Sequence, residues 1–459
     1  MFAVFLKYEL SILVLHFFPN QNQNMQLQPT KKLLPFLIVA ILIFSNQALL
    51  AQTDASTFVY GDPLLDAPEL APRGDYAVGV RTLDLVHKDQ VDILNIKDGE
   101  APLYDRPLKV EVWYPAQAEK TNLIKYDEVM GTRGDEKRPL IPFQFLGRAT
   151  RDATPVTADG AFPLVVVSHG YVGSRYLMTY LTENLASKGY VVVAIDHTES
   201  TFKDANGFTS TLLNRSKDIL FVVDEIASKG KAQSDGFLSG VVDGEHTAVI
   251  GFSMGGYGAL NVGGAAYSEN AIKLFGAMSG GSTALASRGA GEAYQKTMDS
   301  RIKAIVAFAP WGMERGVWDA ETLKGLKVPT FFVAGSQDDI SGYEKGIKAI
   351  YEGAVNAERY ILTYMNARHN VAPNPPPAEA FQPGLHIDEY YRYAEPSWDQ
   401  RRMNNINQHF VTAFLDTKLK GKDHSKYLQI KADSNTETWP GFVPRSSTGM
   451  ELLYDKGQE

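Results

Sequence analysis

The sequence predicts an α/β fold, with a mostly parallel central sheet and helices on both faces. Short runs of apolar, β-branched residues recur along the chain, and helix-like segments separate them. Runs that are apolar at every position are typical of strands buried on both faces, as in parallel sheets. The 459 residues suffice for one large domain or for two to three ordinary ones.

Residues 1–51 are predicted to be a signal peptide. The apolar run LLPFLIVAILIF (33–44) follows two lysines and precedes the small residue Ala51. This order is typical of a secretory signal, and the run is shorter than the ~20 residues that span a membrane. Met25 is an alternative start, and an uncleaved membrane anchor is the alternative interpretation. We therefore expect export, to the periplasm or the medium, with no stable membrane span once the signal is removed.

The first half of the chain is predicted to combine a linker, two strands and an inserted loop. Residues 52–74 are rich in Pro, Ala and Asp, which indicates a linker before a main domain at 75–430. Strands are expected at 76–86 and 108–115, and the second alternates like a strand with one exposed face. Residues 116–160 are polar and rich in Gly and Pro, which predicts mainly loop.

Further strands are predicted where apolar runs recur, at 163–170, 190–197, 247–253, 302–310, 328–335 and 359–365. Helix-like segments at 180–189 and 216–230 follow the first two runs. Right-handed crossovers place the carboxyl ends of such strands on one edge of the sheet, where ligands bind. A second inserted loop is expected near 265–300 and is expected, like the first, to shape the pocket. A Pro-rich surface loop (373–384) precedes a terminal helix, and residues 431–459 are predicted to be a C-terminal tail.

The stretch VIGFSMGGYGAL (249–260) places Ser253 between Gly251 and Gly255. The pattern G-x-S-x-G is weak by itself, but here it closes an apolar run and opens a helix-like segment. In such a strand–turn–helix the serine is exposed on a strained turn, and side chains in place of the glycines would collide across the bend. Ser253 is therefore a candidate nucleophile, and a glycine-rich turn with an incidental serine is the alternative.

A serine nucleophile requires a histidine base and an acid that orients the histidine. For a serine on this kind of turn, the chain order is Ser, then Asp or Glu, then His. Asp338 and Asp339 follow the run 328–335, and His369 follows the run 359–365. Both positions lie at carboxyl ends of predicted strands, so we expect His369 as the base and Asp338 or Asp339 as the acid.

Two backbone N–H groups are expected to stabilise the oxyanion of acyl transfer. One belongs to the residue after the nucleophile, Met254, and the other to a loop after an earlier strand. The stretch SHGYVGSR (168–175) follows the run at 163–170 and contains the His-Gly pair typical of that loop. The N–H of Tyr171 is the expected second donor.

Charge and composition exclude several other functions. The net charge of −8 provides no basic field for nucleic acid. The chain has no cysteine, which excludes disulfides, thiolate zinc sites and a cysteine nucleophile. We recognise neither a metal-ligand cluster nor a phosphate-binding loop, and we expect no metal and no cofactor.

From about residue 76 to 418 the chain resembles the α/β-hydrolase superfamily. The resemblance is carried by VEVWYP, PLVVVSHGYVGSR, LASKGYVVVAIDH, GFSMGGYGAL, APWG and ARHN. Within the superfamily it is similar to the bacterial branch of platelet-activating-factor acetylhydrolases, dienelactone-hydrolase-like proteins and cutinase-type polyester hydrolases. The resemblance implies an α/β-hydrolase catalytic domain with Ser253 as nucleophile, His369 as base, and Tyr171 and Met254 as oxyanion donors.

Two departures from these families refine the resemblance. Animal acetylhydrolases carry the acid after the strand that follows the nucleophile helix, where this chain reads AFAPWGME without an Asp. Polyester hydrolases carry it one strand later, which favours Asp338 over Asp339. Their Pro-Trp pair resembles Pro310 and Trp311, so Trp311 is expected to form an aromatic wall that binds substrate. Dienelactone hydrolases use a cysteine nucleophile, so their lactone hydrolysis is not expected.

The sequence thus predicts an exported serine esterase that acts on a small-molecule, lipid or polymeric ester. Residues 266–295 are dominated by Gly, Ala and Ser. This composition does not resemble the apolar lid of an interfacial lipase, so short acyl chains are expected. Acetylhydrolase-like activity on lipids, polyester hydrolysis and serine acyltransfer are alternatives that use the same triad. A catalytically silent binding module is the alternative from another class.

Overall fold

The structure, a computed structural model, describes residues 58–97 and 100–458, in which seven successive strands precede a part where strands and helices intersperse. The strands are β1 (Ala77–Val91), β2 (Leu103–Gln117), β3 (Ile124–Met130), β4 (Ile141–Gly147), β5 (Thr150–Arg151), β6 (Thr154–Pro155), β7 (Phe162–Ser168), β8 (Val191–Asp196), β9 (Val242–Phe252), β10 (Ile302–Phe308), β11 (Thr330–Gly335), β12 (Arg359–Tyr364) and β13 (Met450–Asp455). The helices are α1 (Thr179–Ser187), α2 (Phe208–Gly230), α3 (Met254–Val262), α4 (Glu269–Met278), α5 (Glu292–Gln295), α6 (Ala320–Leu323), α7 (Lys348–Gly353), α8 (Ile387–Tyr391), α9 (Gln400–Lys420) and α10 (Ser425–Leu428).

Among the described residues, one 11-stranded mixed sheet dominates the fold. Its order is β13-β12-β11-β10-β9-β7-β8-β2-β1-β5, and β6 pairs with β2 beside this path. The strands from β12 to β8 are parallel to their neighbours. β13 is antiparallel to β12 at one edge, and β2 and β1 continue the sheet in antiparallel pairing at the other.

Helices cover both faces of the parallel strands. α1 contacts α9, and α9 also contacts β9 and β10. α2 and α3 contact each other, and both contact β9. β11 and β12 are buried at every position, as expected for strands covered on both faces. The predicted fold class, a mostly parallel sheet between helices, is confirmed.

The strand order reverses beside β7, and this reversal determines where a site can form. β7 leads through α1 to β8 on one side, and β8 leads through α2 to β9 on the other side of β7. In open parallel sheets a crevice forms at such a point, outside the carboxyl ends of the strands. Ser168 ends β7 and Phe252 ends β9, so the loops that follow these strands meet at the crevice.

The prediction that residues 116–160 are mainly loop missed a β-hairpin. β3 and β4 pair there as an antiparallel hairpin. Both strands bury alternate side chains, Tyr126 and Glu128 on β3 and Phe143 and Phe145 on β4. One of the inward residues is charged and two outward residues are large and apolar, so the hydrophobic alternation of the hairpin was too weak to predict strands.

The predicted linker and tail are also wrong where the structure describes them. Residues 58–74 pack against the domain, with Val59 buried. β13 lies within 431–459 and pairs with β12 along its full length. Both segments are too short to show a sequence period, and contacts with the completed sheet order them. The compact unit therefore spans 58–458 of the described residues instead of 75–430.

The signal peptide predicted at 1–51 lies outside the described residues, as does the first part of the predicted linker. Over 58–97 and 100–458, no helix has both the length and the apolar character needed to cross a membrane. The insertion predicted near 265–300 carries α4 and α5.

Candidate active site

Ser253 lies at the turn between β9 and α3, with backbone angles φ 53° and ψ −113°. A positive φ is rare for a residue with a Cβ, and surrounding contacts must offset its cost. The Ser253 N–H donates to Phe308 O at 2.9 Å, and its carbonyl accepts from the N–H groups of Tyr257 and Trp311. These bonds tie the turn to the end of β10 and to α3, so the serine is held at the carboxyl edge of the sheet.

The flanking glycines are required by close approach of the backbone. A Cβ on Gly251 would lie 2.1 Å from Gly255 O, and a Cβ on Gly255 would lie 1.9 Å from Ser168 O. Both distances are far below van der Waals contact, so only glycine fits at these two positions. The same packing presses the Ser253 turn against the end of β7.

Ser253, His369 and Asp338 form a continuous hydrogen-bonded chain. Ser253 Oγ lies 3.0 Å from His369 Nε2, and His369 Nδ1 lies 2.8 Å from Asp338 Oδ2. Because a carboxylate only accepts, Nδ1 carries the ring proton and Nε2 accepts from the serine hydroxyl. Asp338 follows β11 and His369 follows β12, so two adjacent strands of the sheet hold the pair.

Asp339 has a different partner. Its carboxylate pairs with the Arg368 guanidinium, with Oδ1 3.0 Å from Nε. The two side chains are 42% and 48% exposed, respectively, so this pair lies at the surface. The structure therefore brings Asp338, and not Asp339, to His369.

The Asp338 carboxylate is stabilised in its charged form. Burial disfavours the charge, but the contact with His369 and the N–H groups of Ile340 and Ser341, at 2.9 and 2.8 Å, outweigh burial. The pKa of Asp338 consequently lies below its ordinary value. An ionised carboxylate is the form that can orient the His369 ring.

Glu395 holds the loop that carries His369. Its carboxylate accepts from the N–H of Arg368 at 2.5 Å and from the N–H of Asn370 at 2.6 Å, on either side of the histidine. Burial raises the pKa of Glu395, and the two backbone N–H groups oppose that rise. Sequence reasoning missed Glu395, because the segment that follows the Pro-rich stretch has no readable period.

The two predicted N–H donors lie next to Ser253. Met254 is the first residue of α3, and Tyr171 follows Gly170 in the loop after β7. A Cβ on Gly170 would lie 3.4 Å from Ser253 Cβ, so this loop touches the nucleophile turn. Within the described part of the chain, neither the Met254 N–H nor the Tyr171 N–H donates to a protein acceptor.

A buried polar network lies behind the loop after β7. Asp218 accepts two bonds from Arg106 and one from His197 Nδ1 at 3.0 Å, and His197 Nε2 lies 2.8 Å from Ser168 Oγ. Burial, with the nearby Arg215, lowers the pKa of His197 to about 3, so this ring is neutral. Ser168, His197 and Asp218 have the connectivity of a catalytic triad, but all are buried, which leaves Ser168 out of reach of a substrate.

A cavity of about 260 Å³ opens above Ser253 and His369. Its walls come from the loop after β7, from the loops after β11 and β12, from Arg138, and from residues 388–396 around α8. No described residue of 265–300 lines the cavity, so the expectation that this insertion shapes the pocket is wrong. Residues 388–396 line the pocket instead, and no pattern in their sequence predicted this.

Trp311 is not among the described residues that line this cavity. Its ring packs edge-on against Phe208 with a centroid distance of 5.3 Å, and Phe208 packs edge-on against Tyr171 at 5.4 Å. Tyr171 does line the cavity. The aromatic wall expected at Trp311 therefore begins at Tyr171, with Phe208 between the two rings.

The arrangement is suited to nucleophilic acyl transfer. A hydroxyl and a base hydrogen-bonded to it lie at the crevice, next to the segments that carry Met254 and Tyr171, the two expected N–H donors. Such a set can deprotonate Ser253 as it attacks a carbonyl carbon and can stabilise the oxygen anion that forms. Across residues 58–97 and 100–458, no group of three or more His, Asp or Glu side chains could hold a metal ion.

Known proteins similar to this chain are ester hydrolases by name. A family model described as PET hydrolase-like matches residues 149–280. Cutinase est2 of Thermobifida alba is 22% identical over 216 residues, which are 47% of this chain and 55% of that protein. A bis(hydroxyethyl) terephthalate hydrolase of Streptomyces coelicolor is 24% identical over 214 residues, 46% of this chain and 52% of that protein. The match thus spans about half the length of these relatives.

A solved ferulic acid esterase from Streptomyces cinnamoneus has the same fold. Its TM-score is 0.53 at 19% identity, over 87% of this chain and 99% of that one. The α/β-hydrolase fold is therefore confirmed, as is the resemblance to cutinase-type polyester hydrolases. The family match at 149–280 includes Ser253 and Tyr171 but neither Asp338 nor His369. The choice of Asp338 and His369 as site residues therefore depends on their hydrogen bonds in the structure.

Proposed function

We propose that this chain, an α/β-hydrolase, is a serine esterase that hydrolyses carboxylic esters through an acyl-enzyme. The observation that carries the proposal is the hydrogen-bonded chain from Ser253 through His369 to Asp338 at the base of a cavity. The names of the similar proteins support it, because cutinases, a terephthalate ester hydrolase and a feruloyl esterase all cleave esters.

In the proposed reaction, Ser253 Oγ attacks the ester carbonyl while His369 Nε2 takes the hydroxyl proton. Asp338 stabilises the imidazolium that forms, and the N–H groups of Met254 and Tyr171 stabilise the tetrahedral oxyanion. The oxyanion collapses, the alcohol leaves with the proton from His369, and an acyl group remains on Ser253. Water, activated by His369 in the same way, then releases the carboxylic acid.

Covalent labelling tests the nucleophile. A fluorophosphonate probe should modify the purified protein, and peptide mapping should place the adduct at Ser253. Ser253→Ala should abolish labelling and lower kcat by several orders of magnitude. An adduct at another serine, together with activity in Ser253→Ala, would contradict the assignment.

We propose that the preferred acyl groups are short. A volume of about 260 Å³ is small compared with the ~300–1,000 Å³ of most ligand pockets. Burying a methylene contributes ~0.8 kcal/mol, so carbons that extend beyond the cavity add little binding. Across a p-nitrophenyl ester series, kcat/KM should peak between acetyl and hexanoyl. A steady rise to palmitoyl, or activation at an oil–water interface, would contradict this proposal.

Polyester hydrolysis is the second candidate, favoured by the match to the PET hydrolase-like family model. Release of soluble acid from an aliphatic polyester suspension, compared between the wild type and Ser253→Ala, measures it directly. Release by the wild type alone would support the polymer as a substrate. Cleavage of soluble esters without any release from the polymer would leave the small-ester function and contradict the polymer function.

We also propose that the protein is exported, on the strength of the signal-like residues 1–51. Mass spectrometry of the exported fraction should find a mature N-terminus near Gln52. A chain that retains Met25 in that fraction would contradict cleavage.

A further inference from the structure

Three arginines line the active-site cavity, and only Arg392 has no carboxylate partner in the described part of the chain. Arg138 Nε lies 2.6 Å from Glu389 Oε1, and Arg368 pairs with Asp339. The cavity therefore contains two arginines with carboxylate partners and one, Arg392, that forms no ion pair among the described residues, although Asp388 and Glu389 favour its charge from a greater distance.

The contacts of Arg392 leave part of its guanidinium unused. Nη1 donates to Val172 O at 3.1 Å, and the guanidinium lies over the Phe202 ring at 5.1 Å. Nε is buried without a hydrogen-bond partner. Among the described residues, Nη2 has no acceptor either. The Nε and Nη2 groups form the edge that binds a carboxylate through two parallel hydrogen bonds.

The acidic residues of the cavity do not supply the missing partner. Asp339 pairs with Arg368, and Glu395 accepts from two backbone N–H groups. Asp388 Oδ2 lies 3.6 Å from Arg138 Nη1. Burial, with the neighbouring Arg138, lowers the pKa of Arg392, an effect that a bound anion would oppose.

The position of Arg392 limits the distance between such an anion and the ester carbonyl. Nη1 bonds to the carbonyl of Val172, the residue after the proposed oxyanion donor Tyr171. Two residues of chain span at most ~7 Å, so the guanidinium lies within roughly 10 Å of the Tyr171 N–H and within roughly 13 Å of a carbonyl oxygen bound there. A carboxylate at the far end of a diacid of about six carbons falls within this reach.

We infer that Arg392 binds a carboxylate of the substrate, so that the preferred ester is a half-ester of a dicarboxylic acid. This inference rests on the proposed esterase function and specifies its substrate class. A half-ester is what the first hydrolysis of a diester or polyester leaves behind. A reaction of that class would therefore supply the substrate.

Matched esters test the inference without disturbing the protein. Monoethyl adipate and ethyl adipamate have the same length, but one ends in a carboxylate and the other in a neutral amide. The wild type should prefer the carboxylate by about 10- to 100-fold in kcat/KM, the range of a charge-assisted hydrogen bond. Arg392→Gln should bring the ratio close to one, and Arg392→Lys should retain part of it. Arg401→Gln, which removes a surface arginine paired with Asp399, should leave the ratio unchanged.

Several outcomes would overturn the inference. A wild-type ratio near one would do so, as would an unchanged ratio in Arg392→Gln. An equal loss on both esters would mean that Arg392 only supports the Val172 loop. If Arg392→Gln does not fold, the wild-type ratio and stronger competitive inhibition by adipate than by adipamide decide the matter. A tenfold preference for ethyl 5-phosphonopentanoate over monoethyl adipate would reassign the site to phosphate groups. Failure of the wild type to cleave any ester would contradict the proposed function instead.

Discussion

Ser253 keeps a positive φ because its surroundings leave it no relaxed alternative. Hydrogen bonds to Phe308, Tyr257 and Trp311 hold its peptide groups. The glycines on either side allow backbone contacts that no side chain would permit. Strain at one residue is thus offset by contacts from β10, α3 and the end of β7, and its effect is to hold Oγ 3.0 Å from His369.

The neighbouring carboxylates Asp338 and Asp339 offer a matched test at the residue scale. Asp338→Asn removes the charge that accepts from His369 Nδ1 and allows the wrong ring tautomer, so kcat should fall by up to ~10⁴. Asp339→Asn only weakens a surface pair with Arg368, so kcat should stay within a few-fold of the wild type. Steady-state kinetics of the two variants on one soluble ester provide the measurement. A near-normal Asp338→Asn would contradict the role of Asp338.

At the scale of elements, the loop after β12 depends on a residue from another segment. Glu395 accepts the two N–H groups that flank His369. Glu395→Gln replaces one accepting oxygen with an NH₂ group and leaves a buried donor unpaired, at a cost of about 1–3 kcal/mol. The loop should loosen, so we expect kcat to fall several-fold to tens of fold while KM changes little.

The same substitution at the other end of β12 provides the control for this prediction. Glu358 precedes β12 and pairs with Lys418, far along the strand from His369. Glu358→Gln should leave kcat near its wild-type value. Equal losses of kcat in the two variants, in parallel with losses of thermal stability, would mean that Glu395 contributes only to folding.

The sequence predicted the strands whose own residues show a clear hydrophobic pattern. β7, β8 and β11 are apolar at nearly every position, and burial on both faces is the physical cause of that pattern. The β3–β4 hairpin and β13 were missed, because their order depends on tertiary contacts. Glu128, for example, is charged but faces inward on β3, so it interrupts the apolar alternation that would predict a strand.

The residues of the site likewise divide into those that the sequence could predict and those that it could not. Ser253, His369 and the aspartates could be predicted because each directly follows an apolar strand, and parallel topology gathers such positions on one edge. Arg392 and Glu395 come from a segment without a period, and only the folded chain brings them to the cavity. The catalytic roles of all these residues stay predictions until the variants are measured.

At the scale of the whole molecule, the β3–β4 hairpin joins the antiparallel edge of the sheet to α1. Tyr126 OH donates to Glu183 at 2.8 Å and accepts from Trp113 Nε1 at 2.9 Å. Glu128 lies on the same inward face and is 6% exposed. One of its oxygens accepts from the Val129 N–H at 2.8 Å, and the other has no partner in the described part of the chain.

This buried carboxyl should make the stability of the molecule depend on pH. Burial raises the pKa of Glu128 from 4.5 to about 7. The folded protein therefore holds this proton more tightly than the unfolded chain does. Its contribution to the free energy of unfolding is fully present below about pH 4.5 and is lost as the pH rises to about 7.

Glu128→Gln is neutral at every pH, so it should be more stable than the wild type at pH 8, by at most roughly 3 kcal/mol. This advantage should vanish near pH 4.5. Urea denaturation of both proteins across this range measures the difference, and Glu136→Gln in the exposed β3–β4 connection is the control. A difference between Glu128→Gln and the wild type that does not change with pH would mean that folding does not raise the pKa of Glu128.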